Sequence, residues 1–299
     1  MIGTYDIRLV ILSIAVAIIA SYVALDLAAR LAASTESKAA RYWLIAGAFS
    51  MGTGIWSMHF IGMLAFGLPI PISYDTTITL LSLLIAMMIS EFALYTASHG
   101  SLSVRRLLGA GLLMGIGIAS MHYTGMAAMQ IKPPVSYDPF LVILSILVAM
   151  AAAVTALLIA CQPRSATIFS ALWKKAGSAL VMSAAISGMH YTGMAAAIFA
   201  PNSVCLVNPE HINNVWLAGA IGGFVFMFFA LTLLTSAYDA RLAARSANVA
   251  ETLSASNDAL EKRANELSRI NELLQQKIAE GIQTESALRD SEERYRQLV

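Results

Sequence analysis

Charge is scarce in this sequence. Only 12% of its 299 residues are Asp, Glu, Lys or Arg, whereas 58% are hydrophobic. Soluble domains carry about 25% charged residues, so this balance excludes an ordinary soluble domain and indicates a membrane protein. The net charge of +1 comes from charges sorted along the chain into separate loops, and we expect no nucleic-acid partner.

Other chemistry is also missing. The chain has two cysteines, Cys161 and Cys205, which the topology below puts on opposite sides of the membrane, so a disulfide between them is excluded. The last apolar segment, residues 213–238, has no lysine, which excludes a retinal photoreceptor with its Schiff base there. We find no catalytic constellation, and we predict that these residues are not an enzyme.

Seven apolar segments are long enough to cross about 30 Å of hydrocarbon as helices, which takes roughly 20 residues each. Lys and Arg lie mainly in the loops after the odd-numbered segments, and such residues are retained in the cytoplasm. We therefore predict an outer N-terminus and a cytoplasmic C-terminal tail. The segments cover about residues 8–31, 41–67, 76–98, 105–130, 139–162, 175–200 and 213–238.

A short motif occurs three times. The sequence reads SMHFIGM around His59, SMHYTGMAAM around His122 and GMHYTGMAAA around His190. The loops after the first two copies also match, as PIPISYD and KPPVSYD, and the segment before each copy carries an Ala-Leu step. The fold is therefore expected to be all-α, with three two-helix repeats and a seventh helix. Parallel repeats are related by an axis along the membrane normal, which places the histidines at one depth, roughly 12 to 15 Å below the outer surface.

The motif projects metal-binding side chains. On a helix, the histidine shares a face with the glycine and methionine that follow it by three and four residues, whereas the methionine before it is rotated by about 100°. Three copies would gather three imidazoles and up to six thioethers, which suit copper, above all Cu(I). No Asp or Glu lies within a turn of these histidines, which argues against a di-iron site. The candidate ligands are His59, His122, His190, Met63, Met126, Met194, Met58, Met121 and Met189.

Other roles for the histidines stay open. Two of them could be axial ligands of a haem, or the repeat could have copied a packing motif or a proton relay. Ionisable residues inside a membrane mark functional sites by default, which favours a metal. A copper or ion transporter is a further alternative, disfavoured by the odd seventh helix and by the rarity of charges along a path.

The triple pattern, on segments two, four and six of seven, resembles the MHYT integral-membrane sensor domain of bacteria over about residues 5–240. The resemblance implies location in the bacterial inner membrane, a copper site near the outer face, and sensing of a diatomic gas such as O2, CO or NO. It also implies cytoplasmic output domains, for cyclic-di-GMP turnover or histidine kinase activity. The first copy departs from the pattern, with Phe60 and Ile61 in place of Tyr and Thr.

Several polar residues accompany the motif. Tyr123, Thr124, Tyr191 and Thr192 are expected to be hydrogen-bonding groups that support the ligands or join helices. Nearer the cytoplasmic side lie Asp26, Arg30 and Glu91. Interfacial ion pairing explains these three, or they form a charged latch that links ligand binding to movement of the seventh helix.

Beyond residue 240 the composition is polar. Leu253, Leu260, Leu267 and Leu274 follow heptad spacing, which predicts a cytoplasmic helix that pairs with a second copy of the chain as a homodimer. The final stretch, ALRDSEERYRQLV, resembles the helix leading into a PAS domain. We therefore predict a membrane sensor domain over residues 1–240, a linker helix or coiled coil over 241–290, and the start of a PAS-like domain over 291–299.

Overall fold

Helices make up nearly all of the computed structural model, which describes residues 1, 3–33, 37–70, 72–98, 103–160, 168–205 and 214–298. The predicted all-α class is confirmed. Cys161 and part of the charged loop beside it lie outside the described residues. Within these residues the helices are α1 (Ile7–Ala33), α2 (Ser37–Leu64), α3 (Thr76–Ser98), α4 (Val104–Ala127), α5 (Pro139–Ala160), α6 (Ile168–Ala195) and α7 (Asn214–Leu298).

Six of the helices in the described part of the chain are long and apolar enough to span a membrane, all except α6. The apolar stretch of α6 includes Ser183, Ser187 and His190, which lower its hydropathy. Many exposed side chains of α1 to α5 and of the first part of α7 are Leu, Ile, Val or Phe, as expected for surfaces that face lipid. A spanning role for α6, and the orientation of the termini, stay predictions.

The chain divides into two compact units, residues 1–236 and 237–299. In the second unit α7 is helical and its side chains are exposed, including the heptad leucines Leu253, Leu260, Leu267 and Leu274. Residues 291–298 belong to the same helix, and residue 299 is outside the described residues. The coiled coil, the homodimer and the PAS-like start therefore stay predictions.

In the first unit, α1 to α6 form a closed ring in chain order, in which α6 packs back against α1. Within the ring, α2, α4 and α6 also contact one another. The start of α7 adds Ala218, Val225 and Phe229 to a buried cluster that contains residues of α1 and α2. Ring closure brings the three motif helices around one axis, as the repeat predicts.

A cap of paired backbone covers the end of the ring at which the motif helices end. Asp6, Asp75 and Asp138 precede α1, α3 and α5, and their backbone N–H groups donate to the carbonyls of Ala65, Ala128 and Ala196, at 2.9, 2.8 and 2.9 Å. Each alanine directly follows a motif helix. The strands of the cap are β1 (Thr4–Tyr5), β2 (Phe66–Gly67), β3 (Ile131–Lys132), β4 (Ser136–Tyr137), β5 (Ala197–Ile198) and β6 (Val204–Cys205), paired antiparallel as β1–β2, β3–β6 and β4–β5.

This cap reveals a part of the repeat that sequence reasoning missed. Thr4-Tyr5-Asp6 occupies the place that Ser-Tyr-Asp occupies before α3 and α5, and the match is visible in the sequence once it is looked for. Burial is the main cause that raises the pKa of Tyr5 and of Tyr137 to about 12, and a neighbouring tyrosine contributes to each increase. Both hydroxyls therefore stay protonated at neutral pH.

The motif helices end three to five residues before the ends of the predicted segments. His59, His122 and His190 each lie five residues before the last residue of their helix. At 1.5 Å per residue the histidines are about 7 to 8 Å from these helix ends, and their depth below a membrane surface stays a prediction. All three share one depth, as predicted.

Side-chain hydrogen bonds join each repeat to the next one around the ring. One serine in each of α1, α3 and α5 donates its hydroxyl hydrogen to the carbonyl three residues earlier, namely Ser13, Ser82 and Ser145. The oxygen of each hydroxyl is therefore available to accept a hydrogen bond from a neighbouring motif helix. Tyr191 bonds to Ser13 at 2.8 Å, and Tyr123 bonds to Ser145 at 2.7 Å. The first repeat has Phe60 instead of tyrosine, and the indole N–H of Trp56 donates to Ser82 at 3.0 Å in its place.

We predict that Trp56→Phe lowers the free energy of unfolding by about 0.5 to 1.5 kcal/mol, since a buried acceptor loses its donor. In that background, Phe60→Tyr should restore most of the loss by returning the hydroxyl found in the other two repeats. Circular dichroism during denaturant unfolding in detergent measures both. A double variant no more stable than Trp56→Phe would contradict this account.

Candidate metal centre

The three motif histidines meet at the axis of the ring. Nδ1 of His59 lies 3.0 Å from Nδ1 of His190 and 3.2 Å from Nδ1 of His122, and the third side of the triangle is 3.4 Å. All three side chains are buried, and their rings are steeply inclined to one another, with centroids 4.8 to 5.3 Å apart. The structure therefore brings together three ligand atoms from three different helices.

Each imidazole reaches its place across a glycine of the next motif helix. A methyl carbon added to Gly125 would lie 2.2 Å from Nε2 of His59. A methyl carbon added to Gly193 would lie 2.4 Å from Nε2 of His122. One added to Gly62 would lie 2.3 Å from Nε2 of His190. The glycine of each M-H-x-x-G-M motif thus makes room for the histidine of another repeat, not for its own.

The nitrogen triangle fits a metal ion. A tetrahedral ion bound at 2.0 to 2.1 Å holds its nitrogen ligands about 3.3 Å apart, which matches the observed spacing. Without a cation, three ring nitrogens cannot satisfy one another, because a protonated Nδ1 has no lone pair left to accept with. Among the described residues, none of the three Nε2 atoms has a hydrogen-bond partner.

The thioethers separate into two sets. Met63, Met126 and Met194, which follow the histidines, share one buried cluster, together with Met129 and Phe199. The methionines that precede the histidines lie in three different clusters, with Met58 in one, Met121 in another and Met189 in the third. The six predicted thioethers therefore do not share one cluster, because the rotation by about 100° turns the preceding methionines to other faces. Which of them bind a metal stays a prediction.

The motif hydroxyls do not bond to the imidazoles. The rings of Tyr123 and Tyr191 contact His122 and His190 edge to face, at 4.9 and 4.8 Å between centroids, while their hydroxyls join repeats as described above. Thr192 donates to the carbonyl of Gly188 at 2.7 Å, and Thr124 is half-buried.

The sequence matches a known family over the first two copies of the motif. Residues 52–110 and 115–169 match the MHYT family, described as the N-terminal repeat of bacterial signalling proteins. The chain carries an MHYT domain. It is thus an integral membrane domain of a bacterial signalling family, and not a catalytic domain. No solved structure matches this MHYT chain.

Several curated proteins are similar to this MHYT chain. It is 49% identical over 257 residues to the bifunctional diguanylate cyclase/cyclic di-GMP phosphodiesterase MucR of Pseudomonas aeruginosa, a match that covers 86% of this chain and 37% of MucR. It is 38% identical over 226 residues to the cyclic di-GMP phosphodiesterase NbdA of the same organism, covering 74% and 29%. The signaling protein YkoW of Bacillus subtilis is 39% identical over 200 residues, covering 66% and 24%. The chain spans less than two fifths of the length of these relatives.

A charged cluster lies at the end of the MHYT domain opposite to the cap. Asp26 of α1 pairs with Arg30 at 3.1 Å, and also contacts Lys175 of α6 and the hydroxyl of Ser236 in α7. Lys175 and Ser236 were not among the predicted latch residues, and only their approach in the fold identifies them. Glu91, which was predicted with Asp26, is exposed on α3 and is not part of this cluster.

Gly125→Ala is expected to displace His59 and to lower the free energy of unfolding by about 1 to 3 kcal/mol, the usual cost of overpacking a core. The His59 ring cannot retreat, because two other imidazoles lie behind it. Gly109→Ala in the same helix is the matched control, since a methyl there meets nothing within 4 Å. Equal stability of the two variants in denaturant unfolding would contradict this packing.

Asp26→Asn is expected to lower the free energy of unfolding by about 1 to 3 kcal/mol, between the values for exposed and buried pairs. The change removes the negative charge that Lys175 and Arg30 share while it keeps the size of the side chain. Glu91→Gln, an exposed carboxyl on α3, is the control and should change stability little. Denaturant unfolding measures the stability of both variants. An equal effect of the two would show that the charged cluster does not stabilise the fold.

Proposed function

We propose that this MHYT domain is a membrane sensor that binds copper through His59, His122 and His190. The observation that carries the proposal is the triangle of Nδ1 atoms, 3.0 to 3.4 Å on a side, buried at the axis of the helix ring. Imidazole nitrogen suits copper, zinc and iron alike. The neighbouring thioethers of Met63, Met126 and Met194 favour copper, and Cu(I) in particular, since they are soft ligands.

Copper bound by three imidazoles would supply a coordination position open to a diatomic gas, or a change of oxidation state. The protein's own residues hold the imidazoles in place and keep water away. Three buried methionines and Phe66, Phe199 and Ile131 cover the site on its outer side. A small uncharged gas such as O2, CO or NO can cross such a layer, whereas a hydrated ion cannot do so readily.

The output is proposed by analogy to the relatives. MucR and NbdA are named for synthesis or hydrolysis of cyclic di-GMP, so we infer that the domain controls such an activity, or a kinase, in another part of the protein. The contact between Asp26 and Ser236 gives α7 a direct link to α1 and α6. A movement of the motif helices would reach α7 by this link, and the heptad leucines would carry it through a homodimer.

Two other functions differ from this proposal in what they require. A haem held by two of the histidines needs space for a macrocycle between them, and the ring centroids are only 4.8 to 5.3 Å apart. A transporter needs a polar path across the membrane, whereas the buried cluster that contains Met63, Met126 and Met194 is apolar. Both observations favour the sensor.

Metal content of the purified full chain tests the site. We expect one copper per chain after reconstitution with Cu(I), and in each of His59→Ala, His122→Ala and His190→Ala a loss of affinity greater than about 100-fold, since even groups that only support a ligand cost 10- to 100-fold. Elemental analysis measures the copper, and circular dichroism confirms that each variant is folded.

Two methionine variants test which set of thioethers supports copper binding. Met194→Leu should weaken Cu(I) binding, and Met189→Leu should not, because only the first lies in the cluster that covers the triangle. Unchanged copper in all three histidine variants would refute the site. A Soret band in the purified protein would favour haem instead, and copper uptake by liposomes that is abolished by His122→Ala would favour a transporter.

A further inference from the structure

A second three-fold feature lies on the inner side of the histidines. Met51, Met114 and Met182 stand eight residues before His59, His122 and His190, about 12 Å further inward along their helices. All three line one cavity of about 30 Å³. Aligning the sequence on the histidines would have revealed these methionines, but only the structure shows that they surround a common space.

The other helices of the ring complete the lining with their Ala-Leu steps. These steps lie at equivalent places in α1, α3 and α5 and contribute Ala24, Leu25, Ala93, Leu94, Ala156 and Leu157. Ala93, Leu94 and Leu157 are buried. The repeated alanines leave the space empty, because a larger side chain at those positions would fill it.

The chemistry of the lining restricts the ligand. Every side chain around the cavity is Ala, Leu or Met, so a water molecule would find no side-chain partner there, although the volume is above the 10 to 15 Å³ that one water needs. Apolar cavities of this kind stay dry and take up apolar guests such as xenon.

Three thioethers also suit Cu(I), so a soft metal ion is the alternative occupant that the experiment has to separate from a gas. The lining offers no imidazole and no carboxylate, so the cavity lacks the nitrogen ligands of the histidine triangle. We propose that this cavity is a binding site for a small apolar gas, separate from the histidine triangle. The identification of this gas with the sensed signal rests on the proposed function. Binding of a gas in the cavity does not depend on it.

Xenon is the probe, applied to the full chain in nanodiscs after removal of metal by a chelator. With 13C-labelled methionine methyls, xenon pressure should shift the signals of Met51, Met114 and Met182 and saturate. The signals of Met63 and Met126 should stay unshifted, because they lie in the outer cluster. Met88, which is exposed, should show the unsaturated response of xenon dissolved in lipid.

Two filling variants test the location. Ala93→Leu and Ala24→Leu should each abolish the saturable shift, whereas Ala184→Leu, at an exposed position of α6, should keep it. Circular dichroism identifies which filling variant is folded and can be used. His122→Ala should lose copper yet keep the xenon response, so that failure of the metal site and failure of the cavity are distinguishable.

Three outcomes would overturn the proposal. They are no saturable shift in the folded wild type, a shift that survives both filling variants, and a second copper per chain that is lost in Met114→Leu. The last result would assign the cavity to a soft metal.

Discussion

Three imidazoles buried at the axis of the helix ring, with their Nδ1 atoms facing one another, set the terms for the rest of this domain. A buried polar group costs free energy unless it is bonded. The metal ion proposed above would be one partner shared by all three rings. The glycines, the covering methionines and the ring of helices all serve to hold these three rings at one point.

The repeats depend on one another because each completes its neighbour. A histidine of one repeat occupies space left by a glycine of the next, and a motif tyrosine or Trp56 bonds to a serine of the following repeat. A single two-helix unit would have an exposed imidazole, an open glycine and an unpaired serine. Three units together bury the imidazoles, occupy the space beside each glycine and pair each serine, which explains why the motif is copied three times.

The sequence predicted the helical class, the repeat and the common depth of the histidines, because apolar length and motif spacing depend on the chain alone. It did not predict which ring nitrogen points inward, or that Gly125 serves His59, since both depend on how α2 and α4 are rotated against each other. The replacement of a tyrosine hydroxyl by Trp56 was hidden for the same reason. The link from Asp26 to Lys175 joins residues 149 positions apart, and no local pattern indicates it.

The closure of the ring has a consequence for biogenesis. The contacts of Tyr191 with Ser13 and Tyr5 join the last motif helix to the first helix of the chain, so they form only after α6 has been synthesised and has packed. Until then His59 and His122 lack their third companion. The nascent chain therefore has no complete nitrogen triangle during most of its synthesis, and only a finished domain brings the three ring nitrogens together.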